Sequence, residues 1–257
     1  MASQAPEEPK AEFFASPESL RRQDTEARNA DPEAITKMSD FGSYARANRG
    51  GGLSDSGIES HNLIAPMNRV RIYRCATRGV KIASIADLGS GLGFTSAALA
   101  DVFSTKDVTG YEISKDACEF AARKWPALNF VAQALVPGTK LMQQYDLIIA
   151  QEFYPFNRTT DRPLHEQWIH TIADSLTKGG VALITLTEGS RESILSNLGH
   201  VKPILEKRGC AMTSFSLPFD RVYSWLPLYQ LARLASNVLS ILLKRPRFMA
   251  IRIIRNQ

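Results

Sequence analysis

Cysteine is scarce in this sequence. Cys75, Cys118 and Cys210 are its only three, odd in number and far apart. They form no paired pattern, which argues against a thiolate metal site and a disulfide framework and favours a reducing compartment. Histidine is scarce as well. His61, His165, His170 and His200 stand at no ligand spacing with carboxylates, so no bound metal is expected. Long apolar runs are missing: no uncharged stretch of about eighteen apolar residues occurs, which argues against a membrane-crossing helix. The acidic, polar first residues carry no apolar segment of the secretory type, and a cytoplasmic location is the expectation. An excess of one charge is also missing. Against 31 Lys and Arg stand 26 Asp and Glu, a formal +5, too small to call for a nucleic-acid partner.

What is present is a strand, a glycine turn and a helix start in direct succession. Ile85-Ala-Asp-Leu-Gly-Ser-Gly-Leu-Gly93 is an apolar run ending in an acid and three alternate glycines, and Phe-Thr-Ser-Ala-Ala-Leu-Ala follows it. Glycines at 89, 91 and 93 let the backbone turn sharply and approach a ligand, because no Cβ intervenes. A dinucleotide fingerprint would place its glycines at 89, 91 and 94. Phe94 holds that last position and the third glycine is Gly93. Asp87 just before the turn would repel a pyrophosphate. It suits a cofactor with a positive end, such as the amino group and sulfonium of S-adenosylmethionine.

Asp87-x-Gly89-x-Gly91-x-Gly93 resembles the first motif of class I S-adenosylmethionine-dependent methyltransferases. Lys106-Asp-Val-Thr-Gly-Tyr-Glu112 reads as a second strand ending in an acid, nineteen residues after Gly93, which leaves room for one helix. Such an acid accepts hydrogen bonds from both ribose hydroxyls, and the resemblance gives this role to Glu112. The third strand, Asn129-Phe-Val-Ala-Gln133, ends in Gln133 where the family has an acid near the adenine amino group. Glutamine accepts a hydrogen bond through its carbonyl oxygen. The resemblance thus places Asp87, Gly89, Ser90, Gly91, Gly93, Glu112, Gln133 and Gln151 at the cofactor.

The pattern from residue 82 onward alternates strand and helix. Strands are predicted near 82–87, 107–112, 129–134, 145–150, 181–187, 211–218 and 247–254, and helices near 92–103, 115–125, 162–178 and 191–208. Continuous apolar strands such as Leu147-Ile-Ile-Ala150 point to a parallel sheet covered on both faces. Lys178-Gly179-Gly180 reads as a helix stop. The resemblance covers residues 58–255 and implies a doubly wound, Rossmann-like α/β sheet of seven strands in the order 3-2-1-4-5-7-6. Ahead of the domain at 81–257, residues 1–30 read as a disordered tail and 31–80 as a helical cap. Within that cap, a short helix opens at Asp31-Pro32-Glu33, a hinge falls at 49–53, and a helical stretch runs from 56 to 77. Ile58, Leu63, Ile64, Met67, Val70 and Ile72 are its inward candidates, and Pro66 is expected to kink it.

Two regions speak to the acceptor. Strand 4 ends at Ala150, so Gln151-Glu-Phe-Tyr-Pro-Phe-Asn-Arg158 should face the transferred methyl. Amino-methylating relatives carry Asp/Asn-Pro-Pro-Tyr/Phe there. The absence of paired prolines disfavours methylation of nucleic-acid amines. Glu152, Tyr154, Arg158, Asp161 and His165 cluster instead, and transfer to oxygen needs a base near the hydroxyl proton. His165 and Glu152 are the candidate bases and Arg158 a further site residue. A surface or capping histidine, and a Glu152–Arg158 ion pair, are the plainer alternatives. His170, with Glu166 and Asp174, is assigned to solvent. The segment weakly resembles methyltransferases encoded with bacterial polysaccharide genes, which implies a sugar hydroxyl on a small or glycosylated acceptor. N-methylation of a small molecule or protein, and a non-catalytic binding or partner subunit, are the rival readings.

The second region is an insertion of about 28 residues, 219–246, between strands 6 and 7, where the family has a short hairpin. Its stretch 226–244 is amphipathic. Gln230, Arg233, Asn237, Ser240 and Lys244 mark one side, and Leu228, Leu231, Leu234, Ala235, Val238, Leu239, Ile241 and Leu242 the other. A pocket wall packed on its own domain is the favoured expectation. A homodimer surface or a membrane-surface contact, the latter making the protein peripheral to a membrane, are the alternatives.

Overall fold

The computed structural model describes residues 63–113, 115–151, 153, 156, 162–186, 198–216, 231, 235, 238, 242 and 249–256. The tail 1–30, the helix opening at Asp31 and the hinge at 49–53 lie outside them. In chain order the elements are α1 (Ile64–Ala76), β1 (Ser84–Leu88), α2 (Phe94–Phe103), β2 (Asp107–Glu112), α3 (Lys115–Lys124), β3 (Asn129–Ala132), β4 (Tyr145–Gln151), α4 (Arg162–Asp174) and β5 (Leu176–Leu186). A 3-10 turn at Gly199–Val201, α5 (Lys202–Lys207), β6 (Cys210–Ser216) and β7 (Met249–Arg255) complete them.

The seven strands form one sheet in the order β3-β2-β1-β4-β5-β7-β6. The first five are parallel, and β7 runs antiparallel to both β5 and β6. Every residue of β1 is buried. Alternate side chains along a strand face opposite sides, and here both sides are dry. Ile85, Leu147, Ile149, Val181 and Leu183 pack with Val70 and Tyr73 of α1 and with Ala98 and Leu99 of α2. Ala86, Ile148, Ala150, Ala182 and Ile184 pack with Trp168, Ile169 and Ile172 of α4 and with Leu205 of α5. Two-sided burial explains why the strands read as continuous apolar runs instead of alternating ones.

Three sequence expectations are corrected. Pro66 does not kink a helix. It is the third residue of α1, in the first turn, where a missing N–H costs nothing. The fourth helix ends at Asp174 and not near 178. Ser175 N–H bonds back to Thr171 and Ile172, Tyr145 N–H takes the Ser175 carbonyl, and Leu176 already pairs with Tyr145. Lys178-Gly179-Gly180 therefore sits inside β5, at the register shift between Tyr145 and Leu147. Gly179 has a φ of 77°, and a Cβ on Gly180 would stand 2.9 Å from the Thr177 carbonyl. Of the long helix expected at 191–208, the described part is the 3-10 turn and the six residues of α5. Pro203 occupies α5's first turn, the position a proline accepts.

Asp146 ties the amino ends of three central strands together. Its carboxylate accepts from the Ala83 and Ser84 N–H groups (2.9 and 3.2 Å) and from the Thr177 hydroxyl (2.8 Å), while Ser84 Oγ accepts from the Asp146 N–H. Burial pushes this carboxyl up, but the bonds from Ala83, Thr177 and Ser84 outweigh it and hold the group below its ordinary value of 3.8. A carboxyl depressed on folding stabilises fully above its unfolded pKa, and that stabilisation fades as pH falls through the folded value. Asp146→Ala should cost on the order of 2 kcal/mol at neutral pH, because three donors lose their acceptor. In urea titrations the gap from wild type should narrow below pH 3.8 and stay constant above neutrality.

Candidate active site

The carboxyl ends of β1, β2 and β4 meet where the sheet order reverses, the place where open α/β sheets take ligands. The glycine turn leaves β1 at this edge. Gly89, Gly91 and Gly93 have φ values of 76°, 54° and 81°, a region in which side chains other than glycine are strained. Four hydrogen bonds shape the turn. Gly89 and Ser90 N–H both donate to the Tyr111 carbonyl (2.8 and 3.0 Å), and Gly93 N–H donates to the Ser90 carbonyl (2.9 Å). Gly91 N–H donates to Glu112 Oε2 at 2.9 Å. Gly93 also allows close packing: a Cβ there would lie 2.8 Å from the Phe130 ring and 2.9 Å from Ala121. It caps α2 in the left-handed conformation.

Two carboxylates flank this turn. Asp87 is 1 % exposed and accepts from Ser96 Oγ of α2 at 2.7 Å. Glu112 ends β2, is also buried, and carries the Gly91 bond on one of its two oxygens. The Gln133 N–H donates to the Glu112 carbonyl at 2.9 Å, which brings Gln133 to the same edge. Gln151 ends β4 opposite Thr185 of β5. The Tyr73 hydroxyl donates to its Oε1 at 3.1 Å. Ser90 is placed differently. Its buried Oγ has no partner and lies 2.7 Å from where a Cβ on Gly110 would be, so its side chain points back at β2 and only its backbone belongs to the turn.

Residues 85–180 match a family model described as a methyltransferase domain. Over those residues the chain is similar to methyltransferase domains, and its sheet order is that of the Rossmann-like methyltransferase fold. S-adenosylmethionine is the cofactor that its first motif implies. Among solved structures, the chain is similar to the plantazolicin methyltransferase BpumL in complex with SAH, at 13% identity over 93% of this chain and 98% of that one, with a TM-score of 0.58. It is also similar to an S-adenosylmethionine-dependent methyltransferase from Clostridium acetobutylicum, at 10% identity over 84% of this chain and 99% of that one, TM-score 0.54. At these identities the similarity is one of fold. No curated protein matches this sequence.

The donor set of the methyltransferase fits its cofactor. Two buried carboxylates beside a glycine turn would repel a phosphate, whereas an amino group, a sulfonium and ribose hydroxyls are what carboxylates bind. Gly89 has the room required: only Phe153, at 3.7 Å, comes near its absent Cβ. No group of three His, Cys, Asp or Glu able to hold a metal occurs among the described residues.

The acceptor side departs from expectation at His165. It stands in the first turn of α4 but is 1 % exposed, neither a surface nor a capping group. Its ring stacks between Phe156 (centroids 5.5 Å) and His200 (6.1 Å). Phe156 in turn lies 6.5 Å from Phe153, the ring beside Gly89. His165 is thus one member of an aromatic row that leads away from the glycine turn. His200 is the histidine that spacing missed, because 35 residues separate the two rings in sequence. His170 lies at the surface as expected, 2.7 Å from an Arg208 nitrogen, and Arg208 also pairs with Asp174. Glu152 and Arg158 lie outside the described residues. Two surface cavities among the described residues, of about 890 and 700 Å³, are lined by neither the glycine turn nor Glu112.

Tyr73 is the residue that sequence reading passed over. It stands three positions after Val70 on the buried side of α1, but it is not among the inward candidates, and its partner on β4 lies 78 positions away. Tyr73→Phe should weaken binding of S-adenosylhomocysteine about fivefold, the worth of one hydrogen bond, with Gln151 as the intermediary. Calorimetry on the four proteins of a double-mutant cycle checks this: in a Gln151→Ala background the same change should cost nothing further. Gly93→Ala should lower stability on the order of 3 kcal/mol through backbone strain and overpacking together, measured by thermal unfolding.

Proposed function

We propose that the methyltransferase transfers its methyl group to an oxygen of a small or glycosylated acceptor, with a sugar hydroxyl as the favoured group. The observation that carries this reading is the segment after β4. Gln151-Glu-Phe-Tyr-Pro-Phe-Asn-Arg158 has no paired prolines of the kind that hold a planar amine, and it places an ionisable Glu152 directly after the strand end.

Bound S-adenosylmethionine supplies an electrophilic methyl on a positively charged sulfur. The residues of this chain do the rest. Glu112 accepts from the ribose hydroxyls, Asp87 faces the positively charged end, and the glycine turn lets the backbone come close. Gln151, held by Tyr73, borders the reacting centre. Catalysis is then mainly alignment of acceptor oxygen and methyl carbon, with water excluded by Phe153 and its neighbours. Glu152 takes the hydroxyl proton. It is preferred to His165, whose burial among rings at 1 % exposure suits a packing role. The protein works in the cytosol, a reading supported by three free cysteines. Burial pushes the Cys118 thiol up to about 12.

Incubation with methyl-labelled cofactor and a panel of sugar and amine acceptors tests the proposal. Label on a hydroxyl oxygen is the expected result, and label on nitrogen overturns it. Glu152→Gln should lower turnover about 10²-fold or more, the range of general-base assistance, while affinity for S-adenosylhomocysteine stays within about twofold. Unchanged turnover would remove Glu152 from the mechanism.

A further inference from the structure

The helical stretch between β6 and β7 is where the structure departs furthest from a simple domain. Leu231, Ala235, Val238 and Leu242 are helical and exposed. Leu231 is 64 % exposed, Val238 47 % and Leu242 71 %. Among the described residues only one other large apolar side chain is exposed, Met142. At about 100° per residue, spacings of four, three and four put the four positions within a stripe about 60° wide. The favoured expectation, a pocket wall packed on its own domain, therefore fails at these four residues. An apolar stripe of this kind on a soluble surface marks a contact.

Charge decides what the contact is. Between β6 and β7 the sequence has five cations, Arg221, Arg233, Lys244, Arg245 and Arg247, and a single acid, Asp220. A second copy would bring five more positive charges against these five, with only one acid from each copy to offset them. The surface of an anionic bilayer brings the opposite charge. Lys and Arg near the surface are attracted there, and exposed leucine and valine gain by entering the acyl boundary. Trp225 and Tyr229 precede the stripe, residue types that favour the headgroup level. Arg233 interrupts the apolar sequence, so a helix lying on the surface fits and a spanning one does not. We propose that this stripe docks on an anionic lipid surface.

Its position gives the contact a consequence. β6 ends at Ser216 and β7 begins opposite it at Met249. The segment thus leaves and re-enters the sheet at the edge that carries the glycine turn.

Co-sedimentation of the full chain with lipid vesicles tests this. The chain should pellet with phosphatidylcholine vesicles containing about one-third phosphatidylglycerol, not with phosphatidylcholine alone, and added salt should weaken the binding. Leu231→Ser with Leu242→Ser should reduce vesicle affinity at least tenfold. Both positions are exposed, so the melting temperature and S-adenosylhomocysteine affinity should hold. Absence of binding to the anionic vesicles overturns the proposal. So does a wild-type dimer in sedimentation analysis that the paired serines convert to a monomer.

Discussion

The hydrogen bond from Gly91 N–H to Glu112 is the contact on which the site depends. It joins the turn after β1 to the last residue of β2, so two neighbouring strand ends are fixed as one unit. Glycine at 91 is required because φ is 54° there. A carboxylate at 112 is favoured because an ionised acceptor binds a backbone N–H about twice as strongly as a neutral one. The same carboxylate faces the edge where the ribose is expected. One residue thus shapes the loop and, under the proposed function, would also carry a ligand contact. The two additional bonds to the Tyr111 carbonyl hold the turn from behind.

That arrangement needs a rigid base, and two-sided burial of the parallel strands provides it. With α1 and α2 on one face and α4 and α5 on the other, the strand ends cannot shift without opening a dry core. Rigidity also reaches the site from outside the stretch matched to the family. Tyr73 on α1 crosses beside the sheet and holds Gln151 at the end of β4. The helix ahead of the glycine motif is therefore part of the site and more than a cover.

How much could be read in advance follows from where the determining forces lie. The strand–helix alternation and the positions of Asp87 and Glu112 were legible because they rest on local signals, an apolar run, three alternate glycines and an acid at fixed spacing, whereas the sheet order came with the family resemblance. Helix ends were not. Lys178-Gly179-Gly180 carries the chemistry of a helix stop, but pairing of Leu176 with Tyr145 overrides it and turns the glycines into an irregularity within β5. Pro66 misled for the opposite reason, since a proline breaks a helix interior and starts a helix equally well. His165 had the right address, the first turn after the β4 loop, but its surroundings come from Phe156 and His200, and no local pattern announces a ring 35 positions away. The Tyr73–Gln151 bond spans 78 positions and needed the folded sheet to be seen.

The two halves of the molecule differ in how they treat charge. At the glycine turn the buried charged groups are acids, Asp87 and Glu112, which disfavour an anionic ligand. Beyond β6 the chain reverses this, with five cations and one acid between Ser216 and Met249. Both features open at the same sheet edge, because β6 runs parallel to β5 and its end lies beside theirs. An acidic pocket suits a cationic cofactor, and a basic, apolar-striped insertion suits the anionic surface proposed for it. A cofactor with a positively charged sulfur would gain nothing from that basic segment, and an anionic bilayer would gain nothing from Asp87 and Glu112. The sign of each region therefore keeps the two contacts from competing, although the fold sets them on one rim.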